Sequence, residues 1–190
     1  MVTRDDVLPG VIWVDHGLLT PAECAAWIAR GEALGYEAAP ITTSRGPVMA
    51  PEIRNNTRVI IDDVAAAARL WEGAQARVPP VLDGRVAVGL NERFRLYRYD
   101  PGEYFAKHGD GHFERMDGER SLLTLIYYLN DGFEGGETRF FSRGQAPMTV
   151  TPRAGSALFF QHPVLHEGAA VTVGRKYVLR TDVMYRATAG

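Results

Sequence analysis

The chain has 190 residues, 46% of them apolar and 23% charged, and its 21 Lys and Arg against 23 Asp and Glu leave a net charge of -2. That length and usage predict one globular domain with a substantial core and no long disordered tail, and the near-neutral balance argues against a generic nucleic-acid surface. A single cysteine, Cys24, excludes an internal disulfide and suits a reducing compartment.

The segment Met1 to Asp6 lacks the apolar run of a signal peptide, and no stretch is long enough to cross a bilayer, so the expectation is a cytoplasmic, soluble protein without a membrane partner. A short strand is predicted at Val11 to Val14. Thr20-Pro21-Ala22-Glu23 then opens a helix, with a threonine cap, proline at the first helical position and a glutamate closing the capping box. Cys24, Trp27, Ile28 and Leu34 mark its apolar face, which makes Cys24 a buried structural thiol, and Gly35 ends it. Residues 36–56 have little periodicity and read as a long loop, either a lid or a solvated connection. Arg45, Arg54 and Arg58 read as solvated, with contact to an anionic group as the other reading. A strand at Arg58 to Ile61 leads to a second helix, capped by Asp62, with Val64, Ala68, Leu70 and Trp71 as its face and Val78-Pro79-Pro80 beyond its end.

From about residue 86 the pattern changes to short runs rich in Val, Ile, Leu, Phe and Tyr, bounded by Gly, Asp, Asn and Pro. Strands are predicted near 86–89, 93–99, 121–130, 137–141, 148–151, 156–160, 168–173 and 176–185. Many short strands after a helical region suggest a jelly roll with helical support. The expected organisation is one domain over residues 1–190, with 1–85 as helical support and lid and 86–186 as the jelly-roll core.

His108-Gly109-Asp110 and the distant His166 supply two imidazoles and a carboxylate, a set that holds a divalent metal on one face and suits non-haem Fe(II) oxygen chemistry. Zinc would also accept these ligands. In extended backbone His108 and Asp110 point to the same side, and the intervening glycine would avoid crowding. Along residues 176–185 one face reads Lys176, Val178, Arg180, Asp182, Met184 and the other Tyr177, Leu179, Thr181, Val183, Tyr185. That alternation points Lys176 into the barrel and packs Tyr177, Leu179 and Val183 against the helices. Arg180 is either a second cation for a bound anion or the ion-pair partner of Asp182, and Arg175 faces away. His112 belongs to a turn, His162 to a supporting hydrogen bond, and His16 to the surface. Gly135-Gly136-Glu137-Thr138 lacks the lysine and helix of a phosphate loop and reads as a tight strand connection.

The ligands sit within a longer pattern. Tyr97-Arg98-Tyr99-Asp100-Pro101-Gly102-Glu103-Tyr104-Phe105 precedes them, followed by Leu122 to Asn130 and Gly135-Gly136-Glu137-Thr138-Arg139-Phe140. Then come Pro152 to Phe160, His162-Pro163-Val164-Leu165-His166-Glu167-Gly168 and Gly174-Arg175-Lys176-Tyr177. In this order and spacing the chain resembles the 2-oxoglutarate and Fe(II)-dependent dioxygenase superfamily, and within it the prolyl 4-hydroxylase-like catalytic domain. The resemblance implies a mainly β fold with supporting helices, a double-stranded β-helix of jelly-roll, cupin-like form. It implies catalytic Fe(II) on His108, Asp110 and His166, with 2-oxoglutarate and O2 as co-substrates and ascorbate as a stimulant. Lys176 would hold the far carboxylate of 2-oxoglutarate, Tyr128 would donate its hydroxyl to that carboxylate, Tyr99 would lie near the other end, and Arg180 is the rival anchor. The implied reaction hydroxylates an aliphatic C–H of an amino acid, protein side chain or small molecule and releases succinate and CO2. With Asp110 present, hydroxylation or another oxidation is favoured over the chemistry of related halogenases. A non-catalytic metal-binding jelly-roll interaction module and a zinc-dependent hydrolase are the alternatives. The expected partner is a small-molecule or protein substrate, and nothing in the sequence sets the oligomeric state.

Overall fold

Runs of β-branched and aromatic residues bounded by turn residues pair antiparallel throughout the chain. The computed structural model describes residues 2–43 and 45–188. Its largest sheet has ten strands. The path runs Thr3–Leu8, Ile12–His16, Ala157–Gln161, Arg120–Tyr128, Lys176–Ala187, Arg93–Tyr99, Thr57–Asp62 and Glu37–Ala38. Arg85–Leu90 pairs with the distal half of Lys176–Ala187 and carries Val81–Leu82. A second sheet, in the order Phe105–His108, Leu165–Gly168, Thr138–Phe141, Met148–Val150, supplies the opposite wall. The result is the expected double-stranded β-helix with two helices.

Strand alternation sorts the side chains into two cores. Leu179, Val183 and Tyr185 of the last strand join Leu123, Leu125 and Tyr127 under the helices, beside Trp27, Ala66, Ala67 and Ala74. The alternate residue Val178 joins Tyr97, Tyr99 and Tyr128, which meet Phe140 and Val150 of the smaller sheet between the two walls. The ligand cavity is therefore built on the second set.

Helix α1, Pro21–Leu34, begins as the sequence predicts. Thr20 Oγ1 accepts from the Glu23 N–H at 3.2 Å, and a Glu23 carboxylate oxygen accepts from the Thr20 N–H at 2.7 Å. Cys24, Trp27 and Gly31 are buried, whereas Leu34 is 57% exposed. Gly31 lies where the helix comes closest to the sheet: a Cβ there would fall 3.3 Å from Leu96 and still closer to the Tyr36 hydroxyl.

Several expectations require correction. The cap of α2, Val64–Ala74, is Asp63, whose carboxylate accepts from the Ala66 N–H at 2.8 Å. Asp62 instead ends the preceding strand and takes two hydrogen bonds from Arg93, at 2.8 and 2.9 Å. Ala66, Ala67 and Ala74 are buried and the expected Leu70 and Trp71 pack against the same core, whereas Val64 and Ala68 are exposed. The presumed loop at 36–56 contains Glu37–Ala38 and a hairpin of Ile41–Thr43 with Gly46–Val48. The single strand expected at 168–173 is two, Leu165–Gly168 and Val171–Val173, in different sheets. Residue 85 is no boundary in the fold, because Thr3–Leu8, Ile12–His16 and Thr57–Asp62 belong to the same large sheet as the later strands.

The two neighbouring aspartates give a direct test of this geometry. Asp63→Ala removes both the cap and the 2.6 Å hydrogen bond from Arg30, and should lower unfolding stability in urea by about 1–2 kcal/mol. Asp62→Ala breaks only an exposed pair and should cost about 0.5 kcal/mol or less; equal losses would reject the placement of the cap.

Candidate active site

Two sequence-distant histidines become neighbours through one strand pairing. Phe105–His108 runs antiparallel to Leu165–Gly168 in the register that sets His108 opposite His166. Their rings lie 4.3 Å apart between centroids. Asp110, just beyond the strand, is tied back by its N–H to the His162 carbonyl at 3.1 Å. Its carboxylate oxygens then stand 3.8 Å from His108 Nε2 and 3.7 Å from His166 Nε2. One donor atom from each residue lies within 4.8 Å of the others, so the three are placed to hold one metal ion. A Cβ at Gly109 would meet nothing closer than 3.9 Å, so crowding does not explain the glycine.

The protonation of this set also suits a metal. His108 Nδ1 is 2.8 Å from the Ala106 carbonyl and His166 Nδ1 is 3.0 Å from that of Val164. A carbonyl only accepts, so each Nδ1 carries the proton and each Nε2 presents a lone pair. Burial pushes the His108 pKa down to about 4, with His166 adding to the effect, and burial lowers His166 as well. Burial disfavours the charged form of Asp110, but Arg180 and His166, the hydroxyl of Thr124 and His108 together hold its carboxyl well below the usual range. At neutral pH the set is two neutral imidazoles and one carboxylate.

Thr124 escaped the sequence reading. Its hydroxyl lies 2.6 Å from Asp110 Oδ2 and 3.1 Å from His162 Nδ1, while His162 Nε2 is 3.0 Å from Ser121 Oγ. His162 thus has the expected supporting place. His112 is half exposed and contacts Arg120 at 2.9 Å. His16, expected at the surface, is instead half-buried between Ser156 Oγ at 2.8 Å and Asp5 at 2.9 Å.

A cavity runs inward from the triad past Tyr99, Tyr128 and Thr138 to Lys176. Lys176 opens the last strand opposite Tyr99 and is 3% exposed. Its ammonium donates to the Gly136 carbonyl at 2.6 Å and lies over the rings of Tyr99, at 5.1 Å, and Tyr128, at 5.6 Å. Among the described residues no carboxylate comes within ion-pair distance of it. Burial pulls its pKa down to about 8, against a weaker upward pull from Glu137. The hydroxyls of Tyr128 and Thr138 are 2.7 Å apart, and burial raises the pKa of both Tyr128 and Tyr99. Gly135 and Gly136 form the expected strand connection, at φ of 73° and 68°, and a Cβ on Gly136 would sit 3.1 Å from Lys176.

Arg180 occupies the ground between this inner cavity and an outer one, and lines both. It is 3.0 Å from Asp110 and 3.5 Å from Asp182, so the expected pair with Asp182 is present and a second carboxylate shares the charge. Arg175 faces away and binds Asp100 at 2.5 Å. Of the three arginines assigned to solvent, Arg45 is exposed, Arg58 is half-buried and Arg54 is only 4% exposed.

Comparison with known proteins extends this geometry to a family. Residues 94–181 match the 2OG-Fe(II) oxygenase superfamily. Prolyl 4-hydroxylase 1 of Arabidopsis thaliana is 24% identical over an alignment covering 93% of this chain and 70% of that protein. The crystal structure of a Pseudomonas putida prolyl-4-hydroxylase superposes with a TM-score of 0.67 at 21% identity, covering 97% of each chain. A prolyl hydroxylase from Trichoplax adhaerens, in complex with a hypoxia inducible factor peptide fragment, gives a TM-score of 0.73 at 15% identity, covering 94% of this chain and 85% of that one. With the jelly-roll fold and a clustered His-Asp-His set already in place, these similarities support a 2OG-Fe(II) oxygenase, prolyl 4-hydroxylase-like domain built around residues 94–181, of a family that requires Fe(II), 2-oxoglutarate and O2.

Proposed function

We propose that this chain hydroxylates an aliphatic C–H of an amino acid, a protein side chain or a small molecule, releasing succinate and CO2. His108, Asp110 and His166 hold the Fe(II), and Lys176 anchors the far carboxylate of 2-oxoglutarate. The observation that carries the reading is the buried Lys176 ammonium, which has one carbonyl acceptor and no carboxylate within reach among the described residues. An ammonium removed from water in this way gains strongly from an incoming anion. The inner cavity connects that cation to the triad.

The iron, when bound, supplies the oxygen-activating chemistry. The chain's own groups do the positioning. The Ala106 and Val164 carbonyls fix the tautomer and orientation of the two imidazoles. Thr124, itself held by His162, donates to one oxygen of Asp110, and Arg180 lies beside the other. Lys176 and the tyrosine rings over it select a dicarboxylate that reaches from the triad to the cavity floor, and the aromatic side chains Phe105, Phe140 and Phe160 against the imidazoles keep that face dry.

A metal-site test separates the ligand from the residue between. Asp110→Ala should lower Fe(II) affinity by about 100-fold or more, read as a matching rise in the Fe(II) concentration needed to develop the weak visible charge-transfer band on anaerobic addition of Fe(II) and 2-oxoglutarate. Gly109→Ala should keep the band, since its Cβ has room. An Asp110→Ala protein that forms the band as wild type does would remove Asp110 from the ligand set.

The anchor can be tested by substitution and by pH. Lys176→Ala should raise the 2-oxoglutarate KM by about 100-fold, whereas Arg180→Ala should raise it much less. Lys176 is charged below its pKa of about 8 and neutral above it. The KM should therefore be flat near pH 7 and climb by about tenfold per pH unit once the pH exceeds about 8. An arginine anchor stays charged across that range, so a flat profile to pH 10 would assign the carboxylate to Arg180.

Lys176 should also weaken the fold it sits in. Its pKa in the folded chain lies below the ordinary 10.5, so between about pH 8 and 10.5 the unfolded chain holds more protons and stability rises with pH. Lys176→Met, of similar volume and no charge, should raise the unfolding free energy of the ligand-free protein at pH 7 by on the order of 1 kcal/mol. A destabilised methionine variant would show that the ammonium is a structural asset.

A further inference from the structure

The outer cavity, of about 490 Å³, opens from the opposite side of the triad and is walled by Tyr97, Phe105 and Phe113 with Ile41 and Ile53. Four guanidinium groups face it, from Arg54, Arg58, Arg95 and Arg180, against two carboxylates, Asp110 and Asp182. His108 and His112 complete its titratable lining. Strand register imposes this concentration: Arg180 lies directly opposite Arg95, and Arg58 directly opposite Tyr97. Like charges in opposed cross-strand positions repel. Asp182 relieves only part of this, at 3.5 Å from each of Arg95 and Arg180.

The donors here exceed the acceptors. Arg54 spends Nε on Asn56 Oδ1 at 2.8 Å and stacks on Tyr97 and Phe105, with its guanidinium carbon 4.5 and 4.3 Å from the ring centres. Its Nη2 is buried without a hydrogen-bond partner, as are Arg95 Nη1, Arg180 Nε and the Tyr97 hydroxyl, against one unpartnered acceptor in the same lining, Asp182 Oδ1. Among the described residues no carboxylate lies within ion-pair distance of Arg54 or Arg58. Buried donors left unmade are costly, and an excess of positive charge around a cavity favours an anionic ligand. The inner lysine cannot serve this role, because it lies at the far end of the other cavity.

Resting on the oxygenase reading above, we propose that the outer cavity binds the substrate through a carboxylate, received by Arg54 and Arg58, so that the enzyme acts on a carboxylate-bearing molecule. A guanidinium held against ring faces offers its edge, the presentation that a planar carboxylate accepts. The carboxylate has two possible sources, the α-carboxylate of an amino acid or chain terminus, and an acidic side chain beside the target residue in a peptide. Both use the same guanidinium edge and are separated by the choice of probe.

The test is calorimetry under nitrogen on the protein loaded with Fe(II) and 2-oxoglutarate, so that the inner cavity is filled. One arm compares N-acetyl-L-proline with N-acetyl-L-prolinamide. The other compares an end-blocked prolyl tripeptide carrying Glu beside the proline with the same peptide carrying Gln. The charged member should bind about tenfold tighter or more in one arm, which identifies the source. Arg54→Gln and Arg58→Gln should each bring that ratio towards one. Arg58, half-buried and without a stacking partner, keeps the test valid if Arg54→Gln fails to fold. Equal affinity within both pairs, absence of binding, or tighter binding of a phosphoserine peptide than of the glutamate peptide would overturn the proposal. Succinate formation in air is measured separately. Succinate without a charge preference would leave the oxygenase reading standing and this inference fallen, and a charge preference without succinate would do the reverse.

Discussion

The site depends on one register. Because His108 and His166 are cross-strand partners, a slip of one residue between their strands would turn one imidazole to the opposite face and dismantle the His-Asp-His cluster. The pairing is secured from both sides. The strand of His166 is also bonded to Thr138–Phe141, with Phe140 opposite His166, and a bulge between Phe105 and His108 adjusts the approach of the first ligand. The Asp110 N–H on the His162 carbonyl adds the third ligand to the same frame. Each contact is backbone to backbone, so the strand frame itself sets where the three side chains converge.

The second constraint is electrostatic. A barrel interior of aromatic and aliphatic side chains usually excludes cations or pairs them. This one holds Lys176 at the floor of the inner cavity and four arginines around the outer one. The carboxylates within the structure are shared unequally: Asp110 and Asp182 lie near Arg180, and neither reaches Lys176. Cationic excess on both sides of the His-Asp-His cluster is costly to bury, and two anionic ligands entering from opposite ends would relieve it. The distribution of charge therefore carries information about the ligands the two cavities suit.

Much of this was legible in the sequence because its signals are local. Alternation along residues 176–185 depends only on the backbone period, so it placed Lys176 and Arg180 on the cavity side and Leu179 and Val183 under the helices. The capping box of α1 is likewise a three-residue signal. Where alternatives were adjacent, local chemistry was insufficient: Asp62 and Asp63 can each cap a helix, and pairing of Asp62 with Arg93 on another strand decided between them. Thr3–Leu8 hid because it is an exposed edge strand with polar residues on both faces, and Phe105–His108 because four residues show almost no period. Arg54 looked solvated because a guanidinium gives no local sign of burial. Its place on Tyr97 and Phe105 is set by contacts about 40 and 50 residues away in sequence, which only the folded chain brings together.

The last strand shows how the two ligand ends are kept apart. Successive residues on its inner face are about 7 Å apart, so Lys176, Val178 and Arg180 span the inner cavity from floor to mouth. Arg180 stands beside Asp110 of the His-Asp-His cluster and already has two carboxylates to share its charge. Among the described residues, Lys176 has one carbonyl acceptor and no carboxylate within ion-pair distance. An anion reaching the floor thus meets a cation with unspent donors, whereas one stopping at Arg180 must compete with Asp110 and loosen the triad it needs. The same competition faces any anion in the outer cavity, and it directs a substrate carboxylate away from Arg180 towards Arg54 and Arg58, leaving the space over the metal ligands for the bond that reacts.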